Sequence, residues 1–154
     1  MSEMTLGRIL FDLIAAGVAT AGFGLMFRTQ TKSLLPGAVI GGVGYLIYDV
    51  IFLAGGSATV ASFAGALAVG LLAEAAARLL KGPAIVYATM GAIPLVPGAW
   101  LYRTMEHIIV ADYGQATAVG LETIMIAGAI AMALGCSTVL ARMVLRRQRH
   151  RKTE

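Results

Sequence analysis

The sequence predicts an all-α membrane protein, a bundle of five transmembrane helices. Three observations support this fold class. Of the 154 residues, 58% are hydrophobic and only 13% are charged, whereas soluble domains carry about 25% charged residues. Five long apolar stretches each approach the roughly 20 residues that a helix needs to cross a bilayer. Short segments rich in glycine or polar residues separate these stretches, as turns do.

The five predicted spans follow one another through tight connections, so we expect neighbouring spans to be antiparallel. We expect residues 1–145 to form a single transmembrane domain and residues 146–154 to form a basic cytoplasmic tail. The first span is not expected to be a cleaved signal peptide, because its positive charge follows the apolar core more than it precedes it. The spans are Leu6–Phe27, Leu34–Ala54, Ser57–Leu80, Pro83–Met105 and Gln115–Leu145.

The positive charges predict the orientation of the bundle. Ten of the twelve Lys and Arg residues fall on one side under the five-span arrangement, and only Arg8 and Arg103 remain for the other. Because cytoplasmic loops carry the excess of Lys and Arg, we predict an outside N-terminus and a cytoplasmic C-terminus. The net charge of +4 is thereby explained without nucleic acid, and the basic tail is expected to attract anionic membrane lipids.

Motifs for several chemistries are missing from the sequence. There is no phosphate-binding GxxxxGK[ST] loop, and neither H-E-x-x-H nor C-x-x-C occurs, so we predict no cofactor and no metal site. Ser57 and Ser62 lack a positioned histidine base, which argues against an intramembrane hydrolase. Cys136 lies inside an apolar run and is interpreted as a buried thiol. The sequence therefore does not predict an enzyme.

Glycine is abundant within the spans, with 19 residues in the chain. Small residues allow helix backbones to approach closely in lipid, and Gly37-x-x-x-Gly41 fits that pattern. Gly120, Gly128 and Gly135 lie near one face of the fifth span. These glycines are interpreted either as an interface with another chain or as packing within one bundle.

The fourth span contains two prolines and a glycine near its middle, at Pro94, Pro97 and Gly98. Each proline removes a backbone N–H and clashes with the preceding turn. We therefore predict that the helix unwinds around 94–98, with freed carbonyls near 90–93 and unpaired N–H groups near 99–101. Broken backbone at membrane depth must be buried in protein or line a wet cavity, and transporters place solute sites at such breaks.

The string Ile93-Pro94-x-x-Pro97-Gly98, followed by Tyr102 and Met105, resembles the threonine/serine exporter family. The short chain with five predicted spans is similar to the small YjjB-type subunit of that family. The resemblance implies that Pro94, Pro97 and Gly98 form the broken-helix element. It also implies export of threonine and serine, or of succinate in a split form, together with a larger membrane subunit or with further copies of this chain.

Ionisable residues inside a membrane are functional candidates, because they must be paired or hydrated. Asp49 lies about 8 Å and Glu122 about 10 Å below the outer surface, at 1.5 Å per residue. Arg103 follows the break in the same outer half. We hypothesise that these residues line a solute path with Tyr102 and the break, with Arg103 attracting a carboxylate. The alternative is a structural cluster that only neutralises itself.

The predicted function is a subunit of a secondary exporter for small polar solutes, either amino acids such as threonine and serine or dicarboxylates. Its partners would be a larger membrane subunit or further copies of itself. Two alternatives remain at this level. One is a homo-oligomeric channel, and the other is an assembly subunit that does not itself transport.

Overall fold

The computed structural model describes the backbone of residues 6–150 and the side chains of residues 10–141 and Met143. Every regular element in this range is helical. The helices are α1 (Leu6–Met26), α2 (Thr31–Leu53), α3 (Ala58–Leu79), α4 (Ala84–Ala92), α5 (Gly98–Ile109) and α6 (Tyr113–His150), with a 3₁₀ turn over Ile93–Leu95 between α4 and α5.

Three of these helices are long and apolar enough to cross a membrane: α2, α3 and the Tyr113–Ala141 part of α6. The α4–α5 pair, bent by 47° at the 3₁₀ turn, makes a fourth crossing if the pair forms one span. The apolar segment Leu10–Met26 of α1 is shorter. The all-helical membrane fold is thus confirmed, while the count of five spans and the orientation stay predictions.

Two helices extend beyond the predicted ends of their spans. Helix α5 continues to Ile109 instead of ending at Met105, so the expected polar loop from residue 106 shrinks to residues 110–112. Helix α6 begins at Tyr113 and continues to residue 150, so the first five residues of the predicted tail are helical, and residues 151–154 lie outside the described range. Both shifts have one cause: apolarity fades before the helix does, because Glu, Arg and Gln are good helix formers.

Helix α3 occupies the centre of the bundle and packs against α2, α4 and α6. Its inward residues Ala61, Ala66, Val69 and Ala73 have no exposed surface. The alanines keep the neighbouring helices close, and close packing is what holds helices together in lipid. The core around α3 also contains the buried side chains of Tyr87, Met90, Ile126 and Ala133.

The glycines divide between inner and outer faces. A Cβ atom on Gly65 would lie 2.7 Å from the Gly44 carbonyl oxygen, so α2 and α3 cross at these two glycines. Gly37 and Gly41 are likewise packed inside the chain, against Met90 and Thr20 respectively, so packing within the bundle is what they do here. The face of α6 with Gly128 and Gly135 is open, since no described residue lies within 4 Å of either Cβ position.

Cys136 lies on the outer surface of α6 and is exposed. The prediction of a buried thiol was wrong. Helix α6 is apolar all round. Hydrophobicity therefore does not distinguish a side chain in the core from one on the outside of the bundle.

Four helices end in the same hydrogen-bonded turn, which closes with a residue of positive φ. The bonds from Thr29 N–H, Gly56 N–H, Gly82 N–H and Asp112 N–H each reach a carbonyl five residues back, at 2.9–3.0 Å. This is the Schellman arrangement, which favours glycine at the left-handed position. Only one of the four turns has glycine there. The residues with positive φ are Arg28 (52°), Gly55 (91°), Lys81 (53°) and Ala111 (57°).

Helix α5 has no fully buried residue. It packs on α6, while Leu101, Tyr102, Met105 and Ile109 are each more than half exposed on its other sides. The half of the broken span beyond the break is therefore held much less tightly than α4, which contains the buried side chains Tyr87 and Met90.

Candidate functional site

The break between α4 and α5 keeps most of its backbone groups bonded. Because Pro94 has no N–H to give to Met90, the carbonyl of Met90 accepts from Ile93 N–H instead. Ile93 in turn accepts from Val96 N–H at 3.1 Å. The expected free carbonyls at Met90 and Ile93 are therefore not found, because the tighter 3₁₀ turn uses bonds that span fewer residues.

The second half-helix begins at Gly98, whose N–H donates to the Val96 carbonyl at 2.7 Å. The N–H of Leu101 donates to the Pro97 carbonyl at 3.0 Å, so that the expectation of an unpaired N–H at Leu101 was also wrong. Ala99 and Trp100 occupy the first turn of α5. The N–H groups of a first turn have no acceptor within the helix and carry its partial positive charge.

A cavity of about 150 Å³ lies against this break. It is enclosed by the whole turn from Pro94 to Gly98, by α2, by α3 and by α6. The predicted break residues Pro94, Pro97 and Gly98 thus come together at one cavity, as expected for a break that lines an internal space. The other lining side chains are Tyr45, Tyr48, Ser62, Trp100 and Ile126, with Ala99.

Ser62 provides the most informative polar group of this cavity. Its side chain is 1% exposed, and its Oγ has no hydrogen-bond partner among the described residues. The other buried helical hydroxyls bond within their own helix. Thr20 donates to the Ala16 carbonyl and Thr123 to the Val119 carbonyl, each at 2.8 Å, and Ser137 donates to the Leu134 carbonyl at 2.7 Å. An unsatisfied buried polar group costs about 1–3 kcal/mol, so this hydroxyl is a candidate for binding something that enters the cavity.

The three residues of the predicted outer layer of charges, Asp49, Arg103 and Glu122, do not all lie together. Asp49 is buried on α2, at 6% exposure, and the neighbouring Tyr48 lies within electrostatic reach of both Asp49 and the half-buried Glu122. Arg103 is exposed on α5, with its guanidinium 5.6 Å from the centre of the Trp100 ring. A cation at that distance is attracted to the ring face. Arg103 therefore contacts Trp100, which lines the cavity, and does not itself line it. Tyr102 points away, at 69% exposure.

A second cavity, of about 290 Å³, lies at the other end of α3, between α3, α4 and α6. Glu74 and Ser137 are among its lining residues. Ser62 and Glu74 are twelve residues apart on one helix, which is about 18 Å at 1.5 Å per residue. The fully buried Ala66 and Val69 separate the two cavities along α3.

Sequence reasoning missed the two cavity residues Ser62 and Trp100. Ser62 was considered only as a nucleophile, and its isolation in an alanine-rich helix was the available signal. Trp100 is the single tryptophan of the chain, and it begins the half-helix after the break. Their meeting depends on how α3 packs against the break, which no local pattern reveals.

These features define a class: a multi-pass helical membrane protein with a broken helix and an internal cavity, as transporters have. The sequence model of the family described as "Threonine/Serine exporter, ThrE" matches residues 12–140. The chain therefore belongs to the threonine/serine exporter family, a family of transporters, and is a multi-pass protein of the cell membrane.

Two curated relatives are similar to most of the chain. A "Probable threonine/serine exporter" of Mycobacterium tuberculosis is 30% identical over 127 residues, covering 81% of this chain and 23% of the relative. The "Threonine/serine exporter" of Corynebacterium glutamicum is 29% identical over 137 residues, covering 89% of this chain and 27% of the relative. This chain thus spans about a quarter of the length of these relatives. No solved structure matches it.

Proposed function

We propose that this chain is a five-span subunit of a secondary exporter for small polar solutes, and that the solute binds in the cavity at the α4–α5 break. Amino acids such as threonine and serine are the first candidates, since the two relatives are named for them, and dicarboxylates are the second. The observation that carries the proposal is the buried hydroxyl of Ser62, a lining residue of this cavity, whose Oγ has no hydrogen-bond partner in the part of the chain that the structure describes.

The cavity suits a zwitterionic or hydroxylated solute. The first turn of α5 presents backbone N–H groups and a positive dipole end at Ala99 and Trp100, which favours a carboxylate. Ser62 Oγ can both donate and accept a hydrogen bond. Arg103, next to Trp100 at the rim, would draw a carboxylate toward the cavity. Asp49 and Glu122, near Tyr48, would favour an ammonium group, which accounts for both signs of charge in the outer layer.

Alternating exposure is the proposed mechanism. The break cavity and the Glu74 cavity lie at the two ends of α3, and the layer of Ala66 and Val69 between them is fully buried. Movement of α5 about the 93–97 turn would open the first cavity without disturbing that layer. Exporters of this kind require such a barrier, because a continuous path would dissipate the solute gradient.

The relatives' extra length supports a further element of the proposal. Additional membrane segments, in the same polypeptide or in a partner subunit, would complete the transporter, and the open Gly128–Gly135 face of α6 is suited to pack against them or against a second copy. With the N-terminus outside, the basic α1–α2 and α3–α4 loops would face the cytoplasm.

Export of radiolabelled threonine, serine and succinate from cells or proteoliposomes tests the proposal. Ser62→Ala should raise the KM for the transported solute by about tenfold, the factor for one lost hydrogen bond of about 1.4 kcal/mol. Thr123→Val is the matched control, because it removes a buried hydroxyl that already bonds within its own helix. Equal transport by both variants at equal expression would contradict the role of Ser62, and the absence of saturation would favour a channel.

Arg103 is tested separately in the same assay. Arg103→Gln should weaken export while Arg103→Lys retains part of it, since a lysine keeps the charge and loses the planar two-point donor geometry. Full transport by Arg103→Gln would leave the residue with only its contact to Trp100.

A further inference from the structure

The α1–α2 and α3–α4 turns carry a cation where the backbone favours glycine. Arg28 and Lys81 have φ of 52° and 53°, in the left-handed region where a Cβ atom is unfavourable. The equivalent position after α2 is Gly55, with φ of 91°. The positive-inside rule accounts for cations in these two loops, but the backbone does not favour placing them at the left-handed residue itself.

These two turns meet at one end of the bundle and line a partly open cavity of about 370 Å³. Arg28, Lys32 and Lys81 line it, and none of its described lining residues carries a carboxylate. At its base, the Ser33 hydroxyl and the Tyr87 hydroxyl are hydrogen-bonded at 3.1 Å. Tyr87 is 1% exposed, so this bond ties α2 to α4 and fixes the two turns relative to each other.

Two helices begin at this cavity. Helix α2 starts after Gln30 and α4 after Pro83, and neither N-terminus has a side-chain cap. Gln30 and Pro83 are both lining residues. Their first-turn N–H groups add two partial positive charges to the three full charges. The cavity is thus a cationic recess, open to the surface, at the end of the bundle where these helices begin and end.

We propose that this cavity binds the phosphate group of an anion, with Arg28, Lys32 and Lys81 as the binding cations. An anionic phospholipid headgroup is one source of that group, and a soluble phosphate is the other. Basic pockets between membrane helices bind lipid headgroups in this way, and planar guanidinium donors such as Arg28 suit phosphate oxygens. The bound anion would bridge the α1–α2 and α3–α4 turns. The site is separate from the break cavity and does not depend on the proposed transport function.

The geometry of the turns gives an unusually clean test. In the double variant Arg28→Gly Lys81→Gly, both charges are lost while both residues receive the side chain that the left-handed backbone prefers. The fold should therefore be retained. Ala111→Gly is the control for the backbone, since it changes the same type of turn at φ 57° without removing charge. Arg103→Gln is the control for charge, since it removes a cation that does not line this cavity.

The assay is the thermal stability of the purified full chain in neutral detergent, titrated with phosphatidylglycerol, with phosphatidylcholine or with inorganic phosphate. Wild type should be stabilised by phosphatidylglycerol or by phosphate, and much less by phosphatidylcholine. In the double glycine variant, half-maximal stabilisation should need about thirtyfold more of that ligand, the factor that two cations near an anionic surface supply. Both controls should titrate like wild type.

The ligand that stabilises wild type identifies the source of the phosphate. Stabilisation by phosphatidylglycerol alone assigns a lipid headgroup, and stabilisation by inorganic phosphate at similar concentration assigns a soluble anion. Equal titration of the double glycine variant and wild type would overturn the proposal, as would equal weakening in the Arg103→Gln control. Lys32→Gln, which leaves both turns unchanged, should weaken the same titration if the double variant fails to express.

Discussion

The contact between Gly44 and Gly65 leads to a prediction that separates packing from helix propensity. In Gly65→Ala, the new Cβ would lie 2.7 Å from the Gly44 carbonyl oxygen and 3.1 Å from Leu95 Cδ2. The first of these neighbours is backbone, so α2 and α3 must move apart. Inserting a methyl group into a filled core costs about 1–3 kcal/mol, whereas alanine in place of glycine within a helix gains up to about 1 kcal/mol.

Gly128→Ala provides the matched control, because its Cβ would meet nothing within 4 Å. Both glycines lie in helix interiors, so the propensity gain is common to both variants and cancels in their difference. The packing term of about 1–3 kcal/mol remains, and at about 2–4 °C per kcal/mol for a chain of this size, Gly65→Ala should melt about 2–12 °C below Gly128→Ala.

Circular dichroism at 222 nm during heating in detergent measures both melting temperatures. Gly65→Ala should also impair export, because Leu95 belongs to the 3₁₀ turn and lines the break cavity. Equal melting temperatures for the two variants would refute the close crossing of α2 and α3. A lower melting temperature with unchanged export would keep the crossing and disprove its link to the cavity.

Three other predictions concern the turns and the outer surface. Ala111→Gly should raise the stability of the chain by about 0.5–1 kcal/mol and Gly55→Ala should lower it, because both positions have positive φ; melting temperatures of opposite shift are the expected result. Tyr87→Phe removes the hydrogen bond to Ser33 and should cost about 0.5–1.5 kcal/mol in the same assay. Cys136 should react with a lipid-soluble maleimide in the folded chain, and protection would indicate that another protein segment covers α6.

The break was predictable because its cause is local. Proline removes a hydrogen bond within a helix wherever it occurs. Pro94 and Pro97 therefore predict a distorted helix without any knowledge of the fold. The central helices were predictable for a similar reason: apolar length alone places α2 and α3 to within a few residues. The 3₁₀ turn, in which the carbonyls of Met90 and Ile93 accept new hydrogen bonds, was not predicted. The residue types alone do not show which alternative hydrogen-bond pattern replaces the helical one.

The faces of the helices could not be predicted. In soluble proteins a helix exposes its polar side, but a membrane helix is apolar all round, so nothing in the sequence distinguishes Gly65 in the core from Gly128 outside it. The ends of α1 and α3 were predicted to within one residue, but the type of turn that closes them was not. Glycine is the usual sign of a Schellman turn, and here Arg28 and Lys81 occupy that position.

The lack of any fully buried residue on α5 has an energetic consequence. The cost of moving a helix in a bundle is set mainly by the tight contacts that must be broken, and α5 has few to break beyond its packing on α6. The 3₁₀ turn interrupts the α-helical hydrogen bonding between α4 and α5, so the two helices do not form one stiff rod. We therefore expect α5 to move about the 3₁₀ turn at lower cost than the other helices, while α3 and α4 stay in place. A neighbouring subunit in contact with the exposed Tyr102 and Ile109 would move α5 with little loss of packing inside the bundle.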